Sequence, residues 1–193
     1  VENVTLHVPY LGGGFGRRSS TDYVEETAAL AKAVRKPVKL LWTREDDLQY
    51  GQYRPICLQY LEAGVDKAGN ISAWKYIISG TGDNLLASGA EMPFYTLPDL
   101  QIELRAVDHG MRTKHWRAVG HGPNKYAIEA FIDEIAHDQK KDPYQYRRHL
   151  MRNHPRALKV LETVAEMAGW GKKLPAGRAM GIAFAERSGS PGA

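Results

Sequence analysis

Val4, Leu6 and Val8 alternate with Thr5 and His7, the two-residue period of a half-buried strand. After a glycine-rich stretch, Asp22 followed three residues later by Glu25 reads as a helix N-cap with its capping-box partner. Val24, Ala28, Ala31 and Val34 then share one helical face. Lys32, Arg35 and Lys36 suit the negative end of the helix dipole, and Pro37 stops the helix. Residues 38–42 form a compact apolar run, again a strand. The pattern over 4–42 therefore predicts a β-loop-α-β unit with the glycines at the C-terminal end of its first strand.

Further along, two apolar-rich runs between 57 and 78 flank Asp66-Lys67-Ala68-Gly69-Asn70, a hairpin turn with glycine where φ is expected to be positive. Leu100, Ile102, Leu104 and Ala106 alternate as one more strand. Residues 79–99 show no period and read as a long connection. In the stretch 123–140, Ala127, Ile128, Phe131, Ile132, Ile135 and Ala136 make a helical apolar stripe, and Pro123 suits the first turn. Shorter helices are predicted after Pro143 and over 157–168, the latter closed by Gly169, with a final strand over 180–186. The class is α+β, with a mixed sheet and with helices concentrated in the second half.

Composition changes this picture little. A chain of 193 residues with 43% hydrophobic and 25% charged content can bury a real core. The net charge of +4 is spread rather than clustered, so nucleic acid is not implied as a partner. The lone Cys57 allows no internal disulfide and leaves the redox compartment open. No apolar run approaches the length of a membrane span, and no signal peptide is visible. The chain opens on Val1 and closes on Ser-Gly-Ser-Pro-Gly-Ala, which reads as a fragment of a longer protein.

Candidate chemistry centres on residues 11–18, where four glycines surround Phe15 between a predicted strand and a predicted helix. Glycine tolerates positive φ and close approach, and unpaired N–H groups at such a turn suit an anion or an oxo group. A tight turn packed under another element is the competing reading. The loop lacks the Gly-Lys-Ser/Thr ending of a P-loop and fails the strict dinucleotide-binding glycine spacing. There is no zinc-ligand spacing and no nucleophile elbow. His115 and His121 are read as ordinary histidines rather than metal ligands. Glu45, Asp46 and Asp47 read as a solvated helix start rather than an acidic site.

Gly12-Gly13-Gly14-Phe15-Gly16-Arg17-Arg18 resembles the molybdopterin loop of the xanthine dehydrogenase superfamily. The resemblance continues in order through Trp42-Thr43-Arg44-Glu45-Asp46-Asp47 and Trp116-Arg117-Ala118-Val119-Gly120-His121-Gly122-Pro123. It runs on through Glu129-Ala130-Phe131-Ile132-Asp133-Glu134, Asp142-Pro143-Tyr144 and Ala168-Gly169-Trp170-Gly171. The set is similar to the large subunits of the isoquinoline 1-oxidoreductase branch and its aldehyde-oxidising relatives. Two departures stand out: Gly16-Arg17-Arg18 replaces the usual Gly-Gly-Lys ending, and residues 117–123 replace the usual Arg-Gly-Phe-Gly-Gly-Pro loop.

The resemblance implies that residues 1–193 are one partial molybdopterin-binding domain. It implies oxidation of N-heteroaromatic or aldehyde substrates with water as the oxygen source. The implied cofactor is molybdopterin in its cytosine dinucleotide form, with [2Fe-2S] clusters on a small partner subunit and the catalytic glutamate outside this chain. The implied cofactor contacts are Gly13, Gly14, Phe15, Gly16, Arg117, Ala118, Val119 and Gly120, with no metal ligand among the residues present. The two loops should then converge in space, and a β-branched residue at Gly14 should abolish activity of the intact subunit. By itself the fragment is expected to be inactive. The alternative is a non-catalytic anion- or phosphate-binding domain in which Arg17, Arg18 and Arg117 are simple anion contacts.

Overall fold

A computed structural model describes residues 4–82 and 84–193. The helix expected after the glycine loop is present as α1, Asp22–Val34. Its N-cap is Thr21, one residue before the predicted Asp22, and the Thr21 hydroxyl lies 3.2 Å from Glu25 Oε1. The flanking runs depart from expectation. Residues 4–10 and 38–42 belong to no strand, and Val8 and Leu41 are 81% and 83% exposed. Alternation supplies an apolar face, but a strand also needs a ladder partner, and this chain builds its sheet elsewhere. The acidic trio falls in the first turn of α2, Arg44–Tyr50, where Thr43 and Asp46 close a capping box.

The two central runs are β1, Cys57–Val65, and β2, Ile71–Gly80, paired antiparallel across the predicted turn, with Gly69 at φ 78°. Asp66 Oδ1 accepts the N–H groups of Ala68 and Asn70, both at 2.8 Å, which fixes the turn and hence the register. The connection that gave no sequence period carries a short helix, α3, Asn84–Ala87. It also supplies Leu86, Ala90, Met92 and Tyr95 to the core. It crosses over to β3, Asp99–Ala106, which runs parallel to β2, so the sheet is mixed in the order β1-β2-β3.

The long helix is α4, His121–Asp138, starting two residues before the predicted boundary. Its stripe is buried as expected: Ile128, Ile132, Ile135 and Ala136 pack with Trp74, Tyr76 and Ile78 of β2 in one core. Burying each such large side chain contributes about 1.5–3 kcal/mol. Next come α5, Pro143–Leu150, capped by the Asp142 side chain on Gln145 N–H, and α6, Pro155–Ala168, closed by Gly169 at φ 66°. Arg147 of α5 is fully buried. It donates to Glu129 Oε2 at 2.8 Å and to Asp133 Oδ1 at 2.5 Å, joining α5 to α4.

The predicted final strand is shifted. Only Ala185 and Glu186 of it are in β4, Ala185–Arg187, which pairs with β5, Ser190–Gly192. Ser188 and Gly189 both have positive φ and make the two-residue turn. Before it, Phe184 is buried with its N–H on Glu129 Oε2 at 2.8 Å, so that apolar residue serves the core rather than a ladder.

Candidate functional site: two converging loops

The glycine loop is held by its own backbone. Arg17 N–H donates to Gly14 O at 3.0 Å, and Gly16 O accepts from Ser19 through N–H at 3.2 Å and Oγ at 2.6 Å. Phe15 has φ 49° and Gly16 φ 94°, both left-handed. Because a trans peptide sets C=O and the next N–H on opposite sides, a Gly14 carbonyl turned into the loop sends the Phe15 N–H outward. Phe15 itself is 67% exposed.

Gly14 does not carry the strain the sequence suggested. Its φ is outside the left-handed region, and a Cβ there would meet nothing closer than Arg18 Cβ at 3.6 Å. Gly13, at φ 154°, would set a Cβ 2.7 Å from the Phe15 ring, and at Gly16 a Cβ would fall against backbone, 2.5 Å from His115 O and 2.9 Å from Trp116 Cα. The crowding at Gly16 is the approach of the second loop.

The two loops do meet. Arg117 N–H donates to Phe15 O at 2.9 Å. Ala118 at φ 71° and Val119 at φ 52° are both left-handed, an uncommon state for any residue with a Cβ and a costly one for valine. Val119 N–H reaches Trp116 O at 2.6 Å, and Gly120 O then accepts Asn124 N–H at 3.0 Å as α4 begins. A Cβ on Gly120 would lie 2.4 Å from Leu85 O, so only glycine fits where the loop enters the helix. Asn124 anchors this junction: Oδ1 accepts from Tyr76 Oη at 2.9 Å and Gln59 Nε2 at 2.7 Å, while Nδ2 donates to Leu86 O at 2.6 Å. Among the described residues, the N–H groups of Gly14, Phe15, Gly16 and Ala118 have no acceptor.

One important residue escaped the sequence reading. Arg54 donates to Val119 O at 2.6 Å and Arg117 O at 2.7 Å, with its guanidinium 5.7 Å from the Trp116 ring centre. Nothing in its local sequence marks it, because its partners lie 63 and 65 residues away.

The other arginines divide. Arg17 grips Asp22 through two bonds of 2.7 and 3.0 Å and lies over Tyr23 and Trp42. That hydrogen bond, foremost among the influences on it, holds the Asp22 carboxyl below the usual carboxylate range. Arg17 is thus a structural clamp and not a free anion contact. Arg18 lies over Tyr23 and pairs with no carboxylate among the described residues.

No group of three or more His, Cys, Asp or Glu that could hold a metal occurs among the described residues. His121 and Gly89 line an open cleft of about 600 Å³ next to the second loop, with Glu91, Phe94 and Glu186. Burial pushes the Cys57 thiol up, which keeps it a poor nucleophile.

Preset, unpaired N–H donors on two adjoining loops can donate to a ligand carrying oxo or phosphate oxygens. Residues 1–151 match the model of the molybdopterin cofactor-binding domain. The chain is 29% identical over 204 residues to isoquinoline 1-oxidoreductase subunit beta of Brevundimonas diminuta, covering 95% of this chain and 26% of that protein. It is 32% identical to the membrane-bound aldehyde dehydrogenase [pyrroloquinoline-quinone] of Gluconacetobacter polyoxogenes, over 93% of this chain and 28% of the relative. Quinoline 2-oxidoreductase from Pseudomonas putida 86 shares the fold, with a TM-score of 0.73 at 18% identity over 83% of this chain and 24% of that one. This chain therefore spans about a quarter of each of these relatives. By sequence and by fold, the chain belongs to the molybdopterin cofactor-binding domain family, within the molybdenum-binding subunits of the xanthine dehydrogenase superfamily.

Proposed function

We propose that this chain contributes the two cofactor-contacting loops of a molybdenum hydroxylase large subunit. The subunit would oxidise N-heteroaromatic or aldehyde substrates with water as the oxygen source. The observation that carries this reading is the junction of residues 13–16 with 117–120, which gathers unpaired donors from both loops at one place. Residues 1–193 are then part of a longer cofactor-binding domain. The cofactor is molybdopterin in its cytosine dinucleotide form, and electrons leave through [2Fe-2S] clusters on a small partner subunit.

When bound, the molybdenum cofactor supplies the two-electron redox chemistry; the protein supplies position and field. In this reading the N–H groups of Phe15 and Gly16 donate to cofactor oxygens, the exposed Phe15 ring shapes the substrate side, and Ala118 adds a donor from the second loop. Such donors act because they are oriented before the ligand arrives, and each is worth about 3–4 kcal/mol in a dry site. The general base comes from outside these 193 residues, so this stretch alone should turn nothing over.

The test uses the full-length subunit with its iron–sulfur partner. Released cofactor is identified by chromatography, molybdenum by mass spectrometry, and turnover is followed on quinoline-type and aldehyde substrates in ¹⁸O-labelled water. Molybdopterin, with label in the product, is the expected result. Release of pyrroloquinoline quinone instead, or product oxygen drawn from O₂, would overturn the reading.

A further inference from the structure

We propose that Arg54 is the positioning residue of the second loop, turning the N–H group of Ala118 toward an anionic ligand and fixing the peptide of the buried Gly120 at the start of α4; this rests on the molybdopterin reading of the same loops. Both carbonyls held by Arg54, those of Arg117 and Val119, belong to peptide planes whose other ends are the Ala118 and Gly120 N–H groups. A planar trans peptide places those N–H groups on the side away from the guanidinium. Neither has an acceptor among the described residues. One side chain therefore fixes two donors it never touches.

The chemistry of arginine suits this task. Its planar fork spans two carbonyls separated by one residue, which a lysine ammonium on a flexible stem cannot do with the same geometry. Its charge shortens both bonds and polarises the two peptide units, which makes the Ala118 N–H a better donor to an anion. The base of the clamp is fixed as well. Tyr53 N–H donates to Arg112 O at 2.9 Å and Lys114 N–H to Tyr53 O at 3.0 Å, an isolated parallel bridge beside the second loop. The Trp116 ring covers the guanidinium. Without the clamp, Ala118 and Val119 would be free to leave their left-handed conformations.

The experiment compares wild type, Arg54→Lys and Arg54→Met in the full-length subunit with its partner. The readouts are molybdenum and pterin retained after desalting, the melting temperature, and hydrogen exchange across residues 115–122. For Arg54→Met the retained cofactor should fall at least about tenfold, in line with losses on removing supports behind a bound group. Exchange should quicken at 115–122 and not in α4, and the melting temperature should hold. Arg54→Lys, restoring charge and one bond, should recover part of the retention. Wild-type retention and exchange in Arg54→Met would overturn the proposal. So would exchange that rises equally through the core, since Arg54 would then be a general support. If the wild type carries no molybdenum, the cofactor reading fails. The exchange comparison on the unloaded proteins then decides Arg54 separately, and unchanged rates at 115–122 sink it.

Discussion

Residues 4–54 and residues 57–168 are built on different principles. The later region carries the apolar core, and α4 alone has seven buried residues. In the earlier region α1 and α2 have none, and only Ser20 and Gly51 are buried. It is held by polar links instead: Arg17 on Asp22, Gln52 between Asp22 and Ser20, Trp42 Nε1 on Glu26, and the bond from Arg117 to Phe15. The difference teaches where each job can be done. A glycine loop buried in a core would have had to spend its N–H groups on the protein itself. Set at the margin, with its shape fixed by local turns, it leaves them unpaired.

The largest effect should come from breaking the buried ion pair of Arg147 with Glu129. Arg147→Met leaves the Glu129 carboxylate, 8% exposed, without its cation, and removing one partner of a buried pair costs about 3–5 kcal/mol. The matching change in the earlier region, Arg17→Met, removes a partly exposed pair worth about 0–1 kcal/mol. Urea unfolding of both variants measures the contrast, and equal losses would erase it.

The next effect separates folding from binding. Gly16→Ala puts a Cβ at φ 94° against the His115 carbonyl, so the loops must part, and a ~1 Å misplacement near reacting atoms can cost about 100-fold in rate. Gly14→Ala meets only ordinary contacts and should keep both fold and cofactor. Cofactor content and turnover of the two variants decide the matter; the reverse order of sensitivity would refute the geometry described.

The smallest effect is one of pH. The Asp22 carboxyl has a depressed pKa in the folded chain, so its contribution is present above the unfolded value and is lost as pH falls through the folded one. Below about pH 4, residues 16–26 should exchange their amides faster while α4 stays protected. The Asp22→Asn variant should show no such acid step, and a step that survives there would assign the titration elsewhere.

What was legible in the sequence follows the same division. Local periodicity found the β1–β2 hairpin, β3, α4 and the two helices after it, because each is driven by its own apolar face and its own stop signals. Residues 4–10 alternate just as well and residues 38–42 are as apolar, yet neither forms a strand, since no such pattern can show whether a partner strand is there. Residues 79–99 were opaque for the opposite reason: Leu86, Met92 and Tyr95 reach the core from irregular backbone. The glycines at 12–16 were visible as a loop, but the demand for glycine at position 16 comes from His115, far off in the chain. Arg54 was invisible because its meaning lies wholly in two distant carbonyls.

The bond from Arg117 to Phe15 also has a bearing on timing. It joins positions roughly a hundred residues apart, and contacts of such long range form late, after nearer ones have shortened the effective loop. Helices α4 to α6 follow one another directly and can dock as they appear. During synthesis the glycine loop emerges before the second loop, so its backbone stays uncommitted until residue 117 has appeared and the helices that follow it, α4 to α6, have docked. A ligand that needs both loops would therefore find its site only after this long-range contact has closed.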